Sequence, residues 1–227
     1  MSESEKEWSM RRMAMLLAGC TLGVLVLMVI TGVITGATQE KHEHFMAPEE
    51  YALSLLAEPK GLRTLMGLDI AFAILYTAFF AAFTKYLRAL GRPFVTLAFG
   101  AMLATAILDF IEDHHIISML ESAEHRVFPT ASAIQFQAAE SAVKFSMSFL
   151  ALVLYGLAVP RTTKLGLALC LFLVVGTLIS GVLGYSAPPE FQAKLEGGRW
   201  IGFLIGLGLA IAWLRSAPEP AAATPSP

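Results

Sequence analysis

The chain has 227 residues, of which 56% are hydrophobic and only 15% charged, against about 25% charged in ordinary soluble domains. A soluble core of this size cannot hide that much apolar surface, so lipid is the main solvent. A formal net charge of −2, with no basic stripe carrying interleaved aromatics, excludes a nucleic-acid surface.

Residues 1–12, MSESEKEWSMRR, read as a polar cytoplasmic tail. The apolar run Met13–Gly36 follows. Its basic flank and the small residues near Ala37 imitate a signal peptide, but the run is about twice the usual 7–15-residue apolar region, which predicts a retained span. LLAGC imitates a lipobox, yet the apolar run continues well past Cys20. The connection Thr38–Leu65 is too long for a simple turn. Within it Pro48 at a helix start, apolar Tyr51, Leu53, Leu55 and Leu56, and the stop Pro59-Lys60-Gly61 predict a short amphipathic helix on the membrane surface or capping the bundle.

Five more apolar runs follow at Met66–Leu90, Pro93–Ile117, Ala131–Val159, Leu165–Tyr185 and Arg199–Leu214. Each approaches or exceeds the roughly 20 residues with which a helix crosses about 30 Å of hydrocarbon. None shows the two-residue alternation of a membrane barrel. Arg11, Arg12, Lys85, Arg88, Arg92, Arg161, Lys164 and Arg215 all fall on one side of the resulting topology, which places both termini in the cytoplasm and the long connection outside. The expected fold is therefore all-α: a six-helix bundle forming one membrane domain over residues 13–216, in a bacterial-type cytoplasmic membrane. Residues 217–227, rich in proline and alanine, predict a disordered cytoplasmic tail. Cys20 and Cys170 sit inside apolar runs and read as packing residues. Gly32 with Gly36 and Gly202 with Gly206 permit close helix approach, within the chain or in a homodimer. No internal repeat supports an inverted-repeat transporter.

The polar residues are not scattered. LDFIEDHHI, Leu108–Ile116, closes the third span with Asp109, Glu112 and Asp113 on one helical face and His114 and His115 to either side. The fourth span carries Gln137, Glu140, Ser141, Lys144 and Ser148 at three- and four-residue steps, at matching depth. All five histidines, His42, His44, His114, His115 and His125, fall on the expected outer side. Ionisable groups inside a membrane face the bundle interior and pair or mark function. The expected site is an outward-facing acidic and histidine pocket between the second, third and fourth spans, which Asp69 could join.

Three chemistries suit that pocket. A divalent transition metal would take Asp109, Asp113, His114 and His115, with His42 and His44 as further ligands from the connection. If such a centre is catalytic, Glu112 or Glu140 is the candidate base for water attack on a lipid-like ester or amide. Neither HExxH nor a paired CxxC is present. A structural latch would pair Asp109 with Lys144, with Glu140 near the His114/His115 end. A proton or cation relay would use the graded carboxylates, because one lysine cannot neutralise Asp109, Glu112, Asp113 and Glu140 together. The inner stretches Leu97–Leu108 and Leu152–Val159 are nearly apolar, which speaks against a full transport path. Haem is not expected, since only the third span carries histidines. His125 reads as a solvated loop residue, and Asp69, Arg63 and Arg126 as rim charges.

The Leu-Asp-x-x-Glu-Asp run at LDFIED, preceded by the aromatic-rich YTAFFAAFTKYLR, resembles a group of uncharacterised bacterial multi-pass membrane proteins. The likeness spans roughly Leu62–Glu121, and Asp113 stands where that pattern often has Asn. It implies a membrane-embedded helical fold and carries no reaction with it.

Overall fold

A computed structural model describes the backbone of residues 3–186 and 189–217, and the side chains of residues 10–184, 186 and 198–217. Among the described residues there is no strand. The helices are α1 (Glu3–Thr35), α2 (Pro48–Ala57), α3 (Pro59–Ala89), α4 (Val95–Glu124), α5 (Ala131–Ala158), α6 (Lys164–Leu171), α7 (Thr177–Ser186) and α8 (Pro189–Ser216). A 3-10 turn occupies Glu40–Glu43, and a π-helical segment, Phe172–Gly176, joins α6 to α7. Among the described residues six stretches are long and apolar enough to cross a membrane: Met10–Thr35, Pro59–Ala89, Val95–Glu124, Ala131–Ala158, Lys164–Gly184 and Gly198–Ser216.

The helices outrun the apolar runs that predict them. α1 begins at Glu3, inside the expected polar tail, and α8 at Pro189, inside the expected loop before the sixth span. Backbone hydrogen bonding propagates a helix one bond per residue once nucleated, so polar flanking turns join it, in α8 even across Gly197 and Gly198. Elsewhere proline and glycine set the boundary. α2 starts with Pro48 at its first turn and ends at Glu58 (φ −140°, ψ 63°), held out of helical geometry before Pro59. α1 ends at Gly36, whose φ of +74° would cost an L-residue about 1–2 kcal/mol. Its N–H donates to the Gly32 carbonyl at 2.8 Å. The expected disordered tail lies outside the described residues from residue 218 onward; Ala217 is buried, and its carbonyl accepts from Arg11 at 3.0 Å.

The chain divides into two compact units. One comprises Met1–Leu22, Leu75–Met102 and Phe149–Pro227, the other Gly23–Ile74 and Leu103–Ser148. The first is built on aromatic packing. Tyr155 lies against Phe80 and Phe83, with ring centroids 4.7 and 5.6 Å apart, and Trp213 stands edge-on to Phe83 and Tyr86. The Tyr155 hydroxyl is 2.6 Å from that of Thr84, so its polar tip is satisfied inside the apolar cluster. In this unit Gly206 lets Phe172 of the π-helical segment approach closely: an added Cβ would stand 3.2 Å from the ring. That glycine packs the chain against itself, while nothing lies within 4 Å of a Cβ at Gly202.

The second unit contains the long α1–α3 connection and the polar halves of α3, α4 and α5. Tyr51, Ala52 and Leu55 turn the inner face of α2 into it, whereas Leu53, expected on the apolar face, is 69% exposed. Of the two expected placements for α2, this burial is that of a cap. Gly61 brings α3 against the end of α1 so tightly that a Cβ would stand 2.7 Å from the Thr35 side chain. Arg63, expected at the rim, pairs there with Glu121 (3.4 Å) and Glu124 (2.6 Å) and ties α3 to α4. Asp69 takes the other of its two expected places: it is buried, not at the rim.

Candidate functional site

Everything that singles this chain out chemically lies in the second unit. On α4, Asp109, Glu112 and Asp113 return to one face at steps of three and four. On α5, Gln137, Ser141, Lys144 and Ser148 do the same. The two stripes meet in register. Lys144 Nζ is 3.1 Å from Asp109 and also pairs with Glu112, while the Ser141 hydroxyl donates to the other Glu112 oxygen. The same register brings Thr105 opposite Ser148 on one flank and Gln137 opposite Ile116 on the other, all four buried.

The connection closes over this seam. Glu43, from the 3-10 turn, lies 3.9 Å from Lys144. The Gln39 amide donates to Glu112 (3.3 Å) and Asp113 (3.4 Å). Glu43, Asp69, Asp109, Glu112 and Asp113 are all buried, and Lys144 is the one buried Lys or Arg among the described residues. Glu112 is 0% and Asp113 1% exposed. The cluster is therefore covered; it does not line the open, outward-facing pocket that the sequence suggests.

The cover is held by its own contacts. His42 stands edge-on to Tyr51 at 5.4 Å, and the Tyr51 hydroxyl donates to the His42 carbonyl at 3.3 Å. His42 Nε2 is 3.0 Å from the Ser54 hydroxyl, which donates to the Tyr51 carbonyl at 2.9 Å, making Nε2–H the donor to Ser54. Burial lowers the His42 pKa from 6.5 to about 4, against the Thr38 carbonyl, which favours a proton on the ring. Burial, and then the Glu112 carboxylate, push the Tyr51 hydroxyl up.

Glu140 lies at the histidine end of the seam, where the latch reading puts it: it accepts from or pairs with His115 Nδ1 at 2.7 Å, at a rim where the two side chains are 10% and 42% exposed. His114 is exposed, with Nδ1 2.7 Å from the Phe110 carbonyl of its own helix. His44 and His125 are exposed. Among the described residues no three His, Cys, Asp or Glu side chains are arranged to hold a metal ion. Of the expected ligands, Asp109 and Asp113 turn their carboxylates into the seam, while the His114 and His115 rings lie on other faces of α4. As candidate bases, Glu112 is enclosed by Lys144, Ser141 and Gln39, and Glu140 is committed to His115.

Sequence reasoning missed Gln39 and Glu43. Both sit in a polar connection with no periodicity, and only the anchoring of α2 by Tyr51 and Leu55 fixes where they reach. It also missed a shortage of partners: Asp113 Oδ2 and both polar atoms of the Gln137 side chain are buried with no hydrogen-bond partner.

Fold and site together define a multi-pass helical membrane protein with a covered acidic cluster inside one of its two units. No protein-family profile matches the chain, and neither do curated proteins or solved structures. The functional reading therefore rests on the geometry.

Proposed function

We propose that this integral membrane protein responds to pH through the covered cluster, which takes up and releases protons beneath the Gln39–Ala57 segment. One observation carries the reading: five buried carboxylates surround a single lysine. Full ionisation would leave a net charge of about −4 out of water, and an uncompensated buried charge costs several kcal/mol after relaxation. Protons are the economical remedy, since the geometry offers no ligand set for a divalent metal. The groups that share them are Glu43 from the 3-10 turn, Asp69 from α3, and Asp109, Glu112 and Asp113 from α4, with Lys144 of α5 and Tyr51 of α2 facing them. The distribution of Lys and Arg supports placing both termini in the cytoplasm and the cluster toward the outer side of a bacterial-type cytoplasmic membrane.

The test is infrared titration of the full chain in lipid nanodiscs between about pH 5 and pH 9, well above the ordinary carboxylate range. A protonated carboxyl stretch that persists into this range, and shrinks in Asp69→Asn or Asp113→Asn, is the expected result. Complete absence of that band refutes the reading. A band seen only after sodium is removed points to an alkali cation as the compensating charge and refutes it equally.

A structural latch is the second reading, and the Asp109–Lys144 contact with Glu112 and Ser141 favours it. The latch accounts for Lys144. It leaves Asp69 and Asp113 unexplained, because neither has the lysine within ion-pair distance.

A further inference from the structure

Gln137 is fully buried, and neither its amide oxygen nor its amide nitrogen has a partner. Leaving such a group dry is costly; its usual remedy is an ordered water making two to four hydrogen bonds. One turn from Gln137 toward the seam lies Ser141, whose hydroxyl also approaches the Gln137 carbonyl at 3.1 Å, so this stretch of α5 belongs to the cluster wall. Across the seam, Asp113 keeps Oδ1 on Gln39 and leaves Oδ2 without a partner. A carboxylate oxygen, an amide oxygen and an amide N–H together ask for a ligand that donates twice and accepts once. Water fits that pattern; a bare cation would face the N–H.

The surroundings give this position a direction. Glu140 is three residues from Gln137 on α5, a spacing that makes helix side chains neighbours. Its partner His115, on a different face of α4 from Asp113, is half exposed. The His115–Glu140 pair therefore links this stretch of α5 to solvent.

Resting on the proton-exchange reading, we infer that Asp113 and Gln137 hold a water molecule that relays protons between the covered cluster and the His115–Glu140 pair at the rim. In the inward step the rim pair gives a proton to this water, which passes one of its own to Asp113 Oδ2, so that charge and hydrogen count balance. The groups around Asp113 are Glu112 and Asp109 on α4, Asp69 on α3, Lys144 on α5 and Gln39 from the connection. Lys144 and Asp109 lie one layer deeper, and Asp69 approaches from α3.

The experiment follows hydrogen–deuterium exchange of the protonated carboxyl band in the full chain in nanodiscs, with Asp113→Asn to assign the band. Gln137→Met, close in volume, removes both polar atoms. Exchange is expected to slow about tenfold or more, as for losing one bridging hydrogen bond, and Glu140→Gln is expected to slow it as well. Unfolding of Gln137→Met provides the second measurement. A dry, unpaired amide would make this variant more stable than wild type, whereas loss of a held water makes it less stable. Wild-type exchange rates in Gln137→Met, or its stabilisation, overturn the relay and leave the proton reading standing. Absence of any protonated carboxyl band in the wild type removes both.

Discussion

Replacing Lys144 by methionine removes the only buried Lys or Arg among the described residues while keeping most of its stem volume. The ammonium is 3.1 Å from Asp109 and 3.9 Å from Glu43, pairs with Glu112, and its side chain is 5% exposed. Breaking a buried pair by removing one partner costs about 3–5 kcal/mol, mostly from the charge left behind. If the cluster exchanges protons, that cost depends on pH. A variant that binds one more proton folded than unfolded gains stability by about 1.4 kcal/mol for each pH unit lowered. Between about pH 8.5 and pH 6.5 the deficit relative to wild type should therefore shrink by about 2.7 kcal/mol. His42 is present in both proteins, so its titration cancels from the difference. Equilibrium unfolding in mixed detergent micelles at the two pH values measures it. A deficit of equal size at both means that no proton replaces the ammonium, and the structural latch is then the better account.

The cover makes its own prediction. His42 has its pKa lowered from 6.5 to about 4, so between these values the unfolded chain binds more protons and stability falls as pH falls, by roughly 3 kcal/mol across the window. His42→Phe should flatten that slope in the same unfolding assay, and an unchanged slope refutes the assignment. Gly61→Ala drives a methyl into Thr35 and should destabilise the chain by roughly 1–3 kcal/mol, a loss that Thr35→Ala should partly relieve; no loss in the single variant contradicts the close approach. Arg63→Gln breaks rim pairs that are over a third exposed and should cost less than about 1 kcal/mol. A larger loss would show that the α3–α4 tie is not a surface contact.

The spans were legible because transfer of apolar side chains to lipid is a sum over many residues, and no local detail changes its sign. The Asp109–Lys144 register was legible for a related reason: two helices joined by a short connection pack antiparallel, and polar steps of three and four then leave few ways to meet. Helix ends were less so, since α1 and α8 begin at Glu3 and Pro189 in polar sequence, where no apolar periodicity announces them. His114 and His115 illustrate a different limit. Two adjacent residues on a helix point about 100° apart, so a histidine pair that looks like a ligand set in the sequence cannot face one centre. Gln39 and Glu43 were invisible because their position depends on α2, whose docking is decided by Tyr51, Ala52 and Leu55 packing against a surface that exists only after folding.

The placement of the charge limits what the cluster can do. The register runs from Thr105 and Ser148 through Asp109 and Lys144 to Glu112 and Ser141, and it ends at Gln137 beside the rim pair His115 and Glu140. All of these belong to one unit. In the other, the buried polar residues among those described are Thr21, Thr84 and Thr177, with Tyr155 hydrogen-bonded to Thr84. Hydroxyls of threonine and tyrosine pass protons poorly at neutral pH, because neither charged form is accessible there. Among the described residues the buried side chains of that unit include no carboxylate, imidazole or ammonium. Under the proton-exchange proposal, the element that responds is the Gln39–Ala57 cover, whose Gln39 and Glu43 side chains reach the same carboxylates and lysine.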